Sequence, residues 1–199
     1  MRSSYDLISL NSSCQASVPP RVFAILRNLF GVSHECFASP LDHVCPSYNS
    51  IFPDTDQYFG STGSFFDFFP TEGSFQCNPP NESTTIALML DHIMELLQHS
   101  TQTDKKPLSF IVFLSNDDGA LDGLMSSRFF RYVKFLAKEG MMHNFVLGCQ
   151  HKRTNYPISS SNEAPEDPYC VVWLQNEYGY NLWTPTDEKV STLLVDIFS

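Results

Sequence analysis

The residues with the clearest chemistry stand together at Asn78, Pro79, Pro80 and Asn81, directly after the predicted strand Ser74 to Cys77. Proline ends a central strand or a helix interior and pushes the preceding residue into extended geometry. The backbone here is therefore stiff, and the flanking patterns place it between a strand and a helix. Ligands of open α/β sheets bind beyond the carboxyl ends of the strands. A rigid Asn-Pro-Pro there holds an amide side chain and a prolyl carbonyl where both can accept from an exocyclic amino group.

This acceptor pair resembles motif IV of amino-methyltransferases, in which Asp, Asn or Ser precedes Pro-Pro and an aromatic residue. Two acceptors help to localise the lone pair of a ring-conjugated amine, and the aromatic residue stacks on the extruded base. Asn81 stands at the aromatic position and has no π face. We take Asn78, Pro79, Pro80 and Asn81 as the candidate catalytic residues. The same four residues are equally compatible with a simple turn and helix cap.

A second candidate site follows the predicted strand Val32 to Phe37. Small residues in a loop after a first strand are typical of nucleotide cofactor sites, although no Gly-x-Gly-x-x-Gly occurs here. Two aspartates further along the chain could accept from ribose hydroxyls, or they could form Asx turns. The candidate cofactor-binding residues are Phe37, Ala38, Ser39, Pro40, Asp54, Asp56 and Asn78.

The composition is that of one globular domain, since 42% of the 199 residues are apolar and 17% are charged. We predict neither a signal peptide nor a membrane span, because the chain has no charged segment with an apolar run at its start and no long apolar stretch. The six cysteines form no Cys-x-x-Cys pair, which favours reduced intracellular thiols. Cys149, His151 and the nearby His143 lack a fourth ligand at metal spacing, so no metal site is predicted.

The charge is unevenly distributed. The whole chain carries −10, which argues against a simple polyanion binder. The segment from Arg128 to Arg153 nevertheless carries +5, so the remainder carries −15. This segment is either the solvated face of a helix or a surface that contacts phosphates. The candidate RNA-binding residues are Arg128, Arg131, Lys134 and Lys138.

Strand and helix patterns alternate along the chain, which favours an α/β sandwich with a mostly parallel sheet. We predict strands at 32–37, 64–69, 74–77, 108–114, 144–148 and 169–174. We predict helices at 19–30, 82–99, 128–139 and 186–198, with Asn81 or Ser83 as the cap of the second. Residues 42–52 fit a short helix or a loop, and 52–61, 116–119 and 154–168 are predicted loops. Residues 1–18 look irregular, so the domain is assigned to 19–199.

Several longer segments, in this order, resemble the catalytic domain of the phosphorylated-CTD-interacting-factor family, the cap-specific adenosine N6-methyltransferases. The resemblance covers roughly Val18 to Glu188. The segments are Glu35 to Leu41, Phe52 to Asp56, Tyr58 to Ser61, Gly73 to Phe75, Asn78 to Pro80, Pro107 to Phe113, Trp173 to Asn176 and Trp183 to Thr186.

The resemblance implies a class I, Rossmann-like methyltransferase fold that binds S-adenosylmethionine. It implies methylation at N6 of the 2′-O-methyladenosine next to the cap of mRNA. It also implies a nuclear protein linked to the C-terminal domain of RNA polymerase II, and we expect a monomer. In such proteins a WW domain and a helical domain precede this region, and neither is recognised in these 199 residues.

Three positions depart from the family pattern. Asn81 replaces the aromatic residue, Ser83 stands where an acidic residue is expected, and Ser115-Asn116-Asp117 replaces a Pro-Glu-Trp-like segment. All three lie where the family contacts the adenine or the cap. Two functions therefore stay open: a cap-adenosine methyltransferase of reduced activity, or an inactive pseudo-methyltransferase that binds RNA or protein in the transcription machinery.

Overall fold

The computed structural model describes residues 16–115, 118–136, 146–147 and 169–198. Within these ranges the strands are β1 (Ala16–Ser17), β2 (Val32–Glu35), β3 (Ser47–Tyr48), β4 (Gly73–Cys77), β5 (Leu108–Ser115), β6 (Phe130–Phe135), β7 (Val146–Leu147) and β8 (Tyr169–Gln175). The α-helices are α1 (Pro20–Phe30), α2 (Pro53–Asp56), α3 (Ser83–His99), α4 (Asp118–Met125), α5 (Glu177–Leu182) and α6 (Asp187–Phe198). Short 3₁₀ turns occupy Gln57–Phe59 and Phe65–Asp67, and a π turn occupies Ser100–Asp104.

Six strands form one sheet in the order β3-β2-β4-β5-β8-β6. Strands β3, β2, β4 and β5 are mutually parallel, and β8 is antiparallel to both β5 and β6. The predicted α/β class with a mostly parallel sheet is therefore confirmed. Strands β1 and β7 form a separate antiparallel pair.

Each face of the sheet carries its own apolar cluster. On one face, residues of α3 at helical spacing pack against the sheet, among them Ile86, Met89 and Ile93. Their partners include Phe75 of β4 and Phe110 of β5. On the other face, α1 and α6 pack against the remaining side chains of β5 and β8. The central strand β5 is buried on both faces, which explains its apolar run from Phe110 to Leu114.

Helix α1 begins and ends as predicted. Pro20 stands in its first turn, and Gly31 ends it in the left-handed conformation with φ 70°. A Cβ atom on Gly31 would lie 2.4 Å from the indole nitrogen of Trp183, so the helix end packs tightly against the segment before α6.

Asn176 ties the amino edge of the sheet together. Its side-chain oxygen accepts from the backbone N–H groups of Leu108 (3.1 Å) and Gly179 (2.8 Å). Its amide nitrogen donates to the Lys106 carbonyl (2.7 Å) and to the Ser100 hydroxyl (3.2 Å). All four bonds are buried or partly buried, so this one side chain joins β5, the π turn and α5.

The predicted helix at 128–139 is wrong, because this segment forms the edge strand β6. Phe129, Val133 and Leu136 fit a helical period, but the aromatic and β-branched sequence Phe130 to Phe135 also suits a strand. Pairing with β8, which spans Phe130↔Leu174 to Phe135↔Cys170, decides between the two.

Five smaller predictions are also corrected. The predicted strand 64–69 is a 3₁₀ turn at Phe65–Asp67, whose start is capped by the Ser64 hydroxyl. Residues 42–52 contain strand β3, and helix α4 begins at Asp118 within the predicted loop 116–119. The predicted loop 52–61 contains α2 and a 3₁₀ turn. Helix α3 has Glu82 at its N-cap with no side-chain cap bond, so neither Asn81 nor Ser83 caps it.

The strands predicted near 32–37, 74–77, 108–114 and 169–174 are confirmed, as are the helices near 82–99 and 186–198. Strand β7 lies inside the predicted strand 144–148, of which only 146–147 are described. In the segment predicted to be irregular, β1 is formed and Val18 is buried. Residues 1–15, the loop 154–168, Lys138, His143, Cys149 and His151 lie outside the described residues.

Candidate functional site

The connections of the sheet reverse direction between β2 and β4. From β2 the chain moves outward to β3, and it then returns to β4 on the other side of β2 before continuing to β5. Ligands of open α/β sheets bind outside the carboxyl ends of the strands at such a switch point. The expected site therefore lies where β2 ends at Glu35 and β4 ends at Cys77.

A cleft of about 270 Å³, measured with its open mouth, occupies this position. Polar groups from both strand ends face apolar side chains from the start of α1. The lining residues are Val18, Phe23, Glu35, Phe37, Ala38, Asp42, Gln76 and Asn78.

Glu35 is a buried carboxyl group within the cleft lining, with 4% exposure. Its Oε1 atom accepts from the backbone N–H groups of Val44 (2.6 Å) and Cys45 (2.5 Å). Burial raises the pKa of the Glu35 carboxyl, and the two backbone N–H groups oppose that rise because they stabilise the carboxylate. The sequence analysis did not assign Glu35 a role.

Asp42 fixes the loop that follows β2. Its Oδ1 atom accepts from both the N–H and the hydroxyl of Ser39, each at 2.7 Å. The N–H of Ala38 donates to the Asn49 carbonyl at 3.0 Å, which attaches the loop to the end of β3. The small side chains predicted to hold a cofactor are thus placed by a carboxylate and a neighbouring strand.

The structure brings part of the predicted cofactor loop next to the predicted catalytic segment. Phe37 and Ala38 line the cleft together with Asn78, whereas Ser39 is buried behind them and Pro40 is half-buried. The ring of Phe37 packs against Phe65, with 5.1 Å between ring centroids. The loop after β2 and the end of β4 therefore share one wall of the cleft.

The Asn-Pro-Pro segment continues β4 out of the sheet. Asn78 is 6% exposed, Pro79 is buried and Asn81 is exposed. The Pro80 carbonyl accepts from the Glu82 N–H at 2.8 Å, which turns the chain into α3. Among the described residues, no donor reaches the Pro79 carbonyl. The role of Asn78 and Pro79 as an acceptor pair stays a prediction.

The two candidate ribose ligands lie apart from the cleft. Asp54 is exposed in α2, which follows β3, and Asp56 is 3% exposed at the end of the same helix. The hydroxyl of Thr55 contacts Asp56 Oδ1 at 3.3 Å. Neither aspartate lines the cleft, so their role as cofactor ligands stays a prediction.

Three of the four candidate RNA-binding residues are described, and Arg128, Arg131 and Lys134 lie in or next to the edge strand β6. Strand β6 is three strands from β4, which corresponds to about 14 Å. Arg131 donates to the Gln175 carbonyl near the amino edge and lies over the Tyr180 ring, while Arg128 lies over Phe129 and donates to Gln98. Lys134, nearer the other edge, pairs with Val171. The charged stripe and the cleft thus form no continuous surface within the described residues.

The site residues missed from the sequence are Val18, Phe23, Glu35, Asp42 and Gln76. The local sequence carries no distinct signal for Glu35 and Gln76, because both strands contain further polar residues, namely Ser33 and His34 in β2 and Ser74 in β4. In the described residues no three His, Cys, Asp or Glu side chains are grouped to hold a metal ion. Every helix there is too short or too polar to span a bilayer.

The sheet and its cleft define a Rossmann-like methyltransferase fold. The family model described as "Phosphorylated CTD interacting factor 1 WW domain" matches residues 4–148. The chain belongs to this family. Although the description names a WW domain, the matched residues that the structure describes form β1 to β7 and α1 to α4.

Two curated relatives support the same assignment. The chain is 40% identical over 186 residues to proteins from Homo sapiens and Mus musculus, each named mRNA (2′-O-methyladenosine-N(6)-)-methyltransferase. The matches cover 90% of this chain and 25% of each relative, so the chain spans about a quarter of their length. Methyltransferase relatives imply a methyl donor for the fold.

Proposed function

We propose that the chain is a methyltransferase domain that binds S-adenosylmethionine in the cleft and methylates N6 of the cap-adjacent 2′-O-methyladenosine of mRNA. The observation that carries the proposal is the shared wall of the cleft, where the loop after β2 meets Asn78 of the Asn-Pro-Pro segment. The relatives' printed activity supplies the substrate class.

The cleft lining fits such a cofactor. S-adenosylmethionine combines a purine and a ribose with a sulfonium, an ammonium and a carboxylate group, so it needs both apolar and polar surroundings. Val18, Phe23 and Phe37 provide apolar surface, and the carboxyl groups of Glu35 and Asp42 provide negative charge. The bound cofactor would supply an electrophilic methyl group at the mouth of the cleft.

The protein's own residues would accept hydrogen bonds from the target amine and orient it. The target amine is a weak nucleophile, because its lone pair is delocalised into the purine ring. Asn78 and the Pro79 carbonyl would accept its two N–H bonds and direct the lone pair outward. The stiffness of Pro79-Pro80 and the Pro80–Glu82 hydrogen bond (2.8 Å) keep these acceptors in position without a large entropy loss.

The charges beside the cleft suggest that RNA affinity comes from elsewhere. Glu35 and Asp42 line the cleft, Glu82 follows the Asn-Pro-Pro segment, and Asp54 is exposed after β3. Carboxylates repel phosphates, and Arg131 is about 14 Å or more away across the sheet. We therefore expect weak RNA binding at the cleft, with a shallow salt dependence because few phosphates are neutralised there.

The experiment is transfer of labelled methyl from S-adenosylmethionine to capped RNA that begins with 2′-O-methyladenosine. Incorporation should be detectable at high protein concentration and should stop when Asn78 is replaced by Ala. RNA beginning with guanosine is the substrate control. Cofactor binding without any transfer to the adenosine RNA, at any protein concentration, would refute the proposed activity.

A second candidate function is an inactive methyltransferase-like module that binds RNA or protein. Asn81 favours it, because this exposed side chain offers no π face at the position that stacks on the base in the family motif. Calorimetry separates the two functions. A module of this kind binds cofactor without transfer, or binds neither cofactor nor capped RNA.

The family resemblance further suggests a nuclear protein that associates with the C-terminal domain of RNA polymerase II and is a monomer. Imaging of the tagged chain tests the location, and light scattering tests the mass. Binding to phosphorylated repeat peptides tests the association. Cytoplasmic retention, a dimer mass or no peptide binding would each refute the corresponding part.

A further inference from the structure

Three large apolar side chains are exposed together where α3 meets the turn Phe65–Asp67. Phe69 is 69% exposed, Leu88 is 55% exposed and Phe66 is 38% exposed. The ring of His92 joins them, because it lies edge-on to Phe69 at 5.2 Å and 6.3 Å from the Phe66 ring. Leu88 precedes His92 by one turn of α3, which places the two side chains next to each other. We call Phe66, Phe69 and Leu88 the apolar surface.

The apolar surface is held in a fixed shape by hydrogen bonds beneath it. The Nε2–H group of His92 donates to the Phe68 carbonyl at 3.0 Å, which attaches α3 to the segment after the turn. Within the turn, the N–H of Phe66 donates to the Ser64 hydroxyl (3.2 Å) and the N–H of Asp67 to the Ser64 carbonyl (3.1 Å). Because these backbone groups are already bonded, an extended strand would gain no ladder here. A helix brings its own backbone hydrogen bonds and needs only an apolar face to cover.

Carboxylates flank the apolar surface on both sides. Asp67 is exposed in the turn beside Phe66. Asp91 and Glu95 are exposed on α3, three and seven residues beyond Leu88. These spacings place both carboxylates on the Leu88 face of the helix. We call Asp67, Asp91 and Glu95 the acidic rim.

The negative charge of the chain is concentrated in the segment that forms this surface. Residues 28–104 contain ten of the 22 acidic residues and none of the 12 Lys and Arg residues. Two cations lie near the carboxyl end of α3, where Lys106 pairs with Glu72 at 3.4 Å and Arg128 donates to Gln98. The rim therefore repels a polyanion such as RNA and attracts a cationic partner.

We propose that the apolar surface and its acidic rim form a docking site for a basic amphipathic helix of a partner protein. The apolar stripe of that helix covers Phe66, Phe69 and Leu88, and its Lys or Arg residues pair with the rim. Exposed apolar groups rimmed by polar residues mark interaction sites, and aromatic anchors carry much of the binding free energy there. The inference goes beyond the proposed methyl transfer and does not depend on it.

The probe is a synthetic peptide of roughly 18 residues, with Leu and Trp on one helical face and Lys on the other. A second peptide carries Glu in place of every Lys, and a uridine oligonucleotide represents single-stranded RNA. Calorimetry on the full chain should show binding of the Lys peptide, and the Glu peptide should bind much more weakly. F69S/L88S should weaken the Lys peptide at least about tenfold, because two apolar anchors are lost.

The matched control for the apolar anchors lies on the other face of the sheet. Val195 of α6 is 65% exposed, and α6 packs on the opposite side from α3. V195S should leave the affinity for the Lys peptide within about twofold, as is usual for surface substitutions.

Charge variants test the acidic rim separately. D91N/E95Q should weaken the Lys peptide several-fold and reduce its salt dependence, because two rim charges are removed. E177Q/E188Q removes as many exposed carboxylates from α5 and α6 and should leave the affinity within about twofold. D91K/E95K should reverse the preference, so that the Glu peptide binds more tightly than the Lys peptide. A misfolded protein would not show this reversal.

Several results would overturn the docking site. F69S/L88S with the parent's melting temperature and the parent's affinity would do so, as would equal weakening by V195S or by E177Q/E188Q. If F69S/L88S melts lower than the parent, the D91K/E95K result decides, and an unchanged preference there refutes the site. Uridine RNA that binds the parent and is lost in F69S/L88S would assign the surface to nucleic acid. None of these measurements involves methyl transfer, so the proposed function stands or falls separately.

Discussion

Replacing Asn81 by Phe tests whether the missing π face limits activity. Asn81 is exposed, and it follows the Pro79-Pro80 segment that sets the direction of the chain. A phenyl ring at this position has access to solvent and to a base held by Asn78. Helix α3 takes its N-cap at Glu82, so the substitution does not alter the cap residue itself. We expect N81F to fold with a melting temperature close to that of the parent.

The size of the effect follows from base stacking. One base–aromatic stack is worth about 1–3 kcal/mol. If this free energy is fully available in the transition state, the rate of methyl transfer rises roughly five- to 150-fold, because each 1.36 kcal/mol is a factor of ten. If the parent shows no activity, N81F should make transfer measurable.

The assay is methyl incorporation into capped RNA at saturating S-adenosylmethionine, with parent and N81F at equal concentration. N81L is the matched control, because it adds apolar area without a π system and should give a smaller gain. Asn78→Ala in the N81F background should abolish the gain, since the amine loses an acceptor. An N81F protein that folds and binds cofactor but gains nothing would refute the stacking argument. The defect would then lie at Ser83, after β5, or outside this chain.

Three further predictions concern stability. Gly31→Ala should lower the free energy of unfolding, measured by urea denaturation, by about 2–4 kcal/mol, because the new side chain must adopt φ 70° and meets the indole of Trp183. Gly123→Ala is the control and should be neutral or stabilising, because the space around its Cβ is open. Asn176→Ala should lower the free energy of unfolding by about 3–4 kcal/mol, because four hydrogen bonds are lost. Replacing the exposed Asn28 by Ala should hardly change it, and equal effects of the two substitutions would contradict the structural role of Asn176. Glu35→Gln tests the raised pKa of the Glu35 carboxyl. Since the folded protein binds that proton more tightly, the parent should lose stability relative to Glu35→Gln as the pH rises from about 4 to 7; a pH-independent difference would contradict this.

The sequence was sufficient for the elements whose pattern and packing agree. Strand β5 has an apolar run that suits burial on both faces, and α3 has helical spacing with no competing period. The edge strand β6 was misassigned because Phe129, Val133 and Leu136 satisfy a helical period as well. The local pattern there is compatible with both a helix and a strand. Pairing with β8, more than 30 residues away in the sequence, selects the strand.

The sequence pointed to only some of the residues that line the cleft. Asn78, Phe37 and Ala38 stand in segments with strong local signals, namely consecutive prolines and a loop of small residues. Glu35 and Gln76 look like ordinary strand residues until the register of β2 against β4 places them side by side. Asp54 and Asp56 do not line the cleft, and their role as cofactor ligands stays a prediction. Register and loop path are tertiary properties, which no local pattern contains.

The antiparallel insertion of β8 has a consequence for synthesis on the ribosome. Strand β6 has no partner in the described sheet other than β8, and β5 also pairs with β8 along Ser109 to Ser115. When translation has reached residue 135, β2, β4 and β5 can already pair, but β6 must wait until Gln175 has been made. During that interval β5 presents an apolar edge, which favours association between nascent chains or capture by a chaperone. A chain that stops before Tyr169 retains this exposed edge permanently, so truncation there should produce aggregation and not a smaller stable domain.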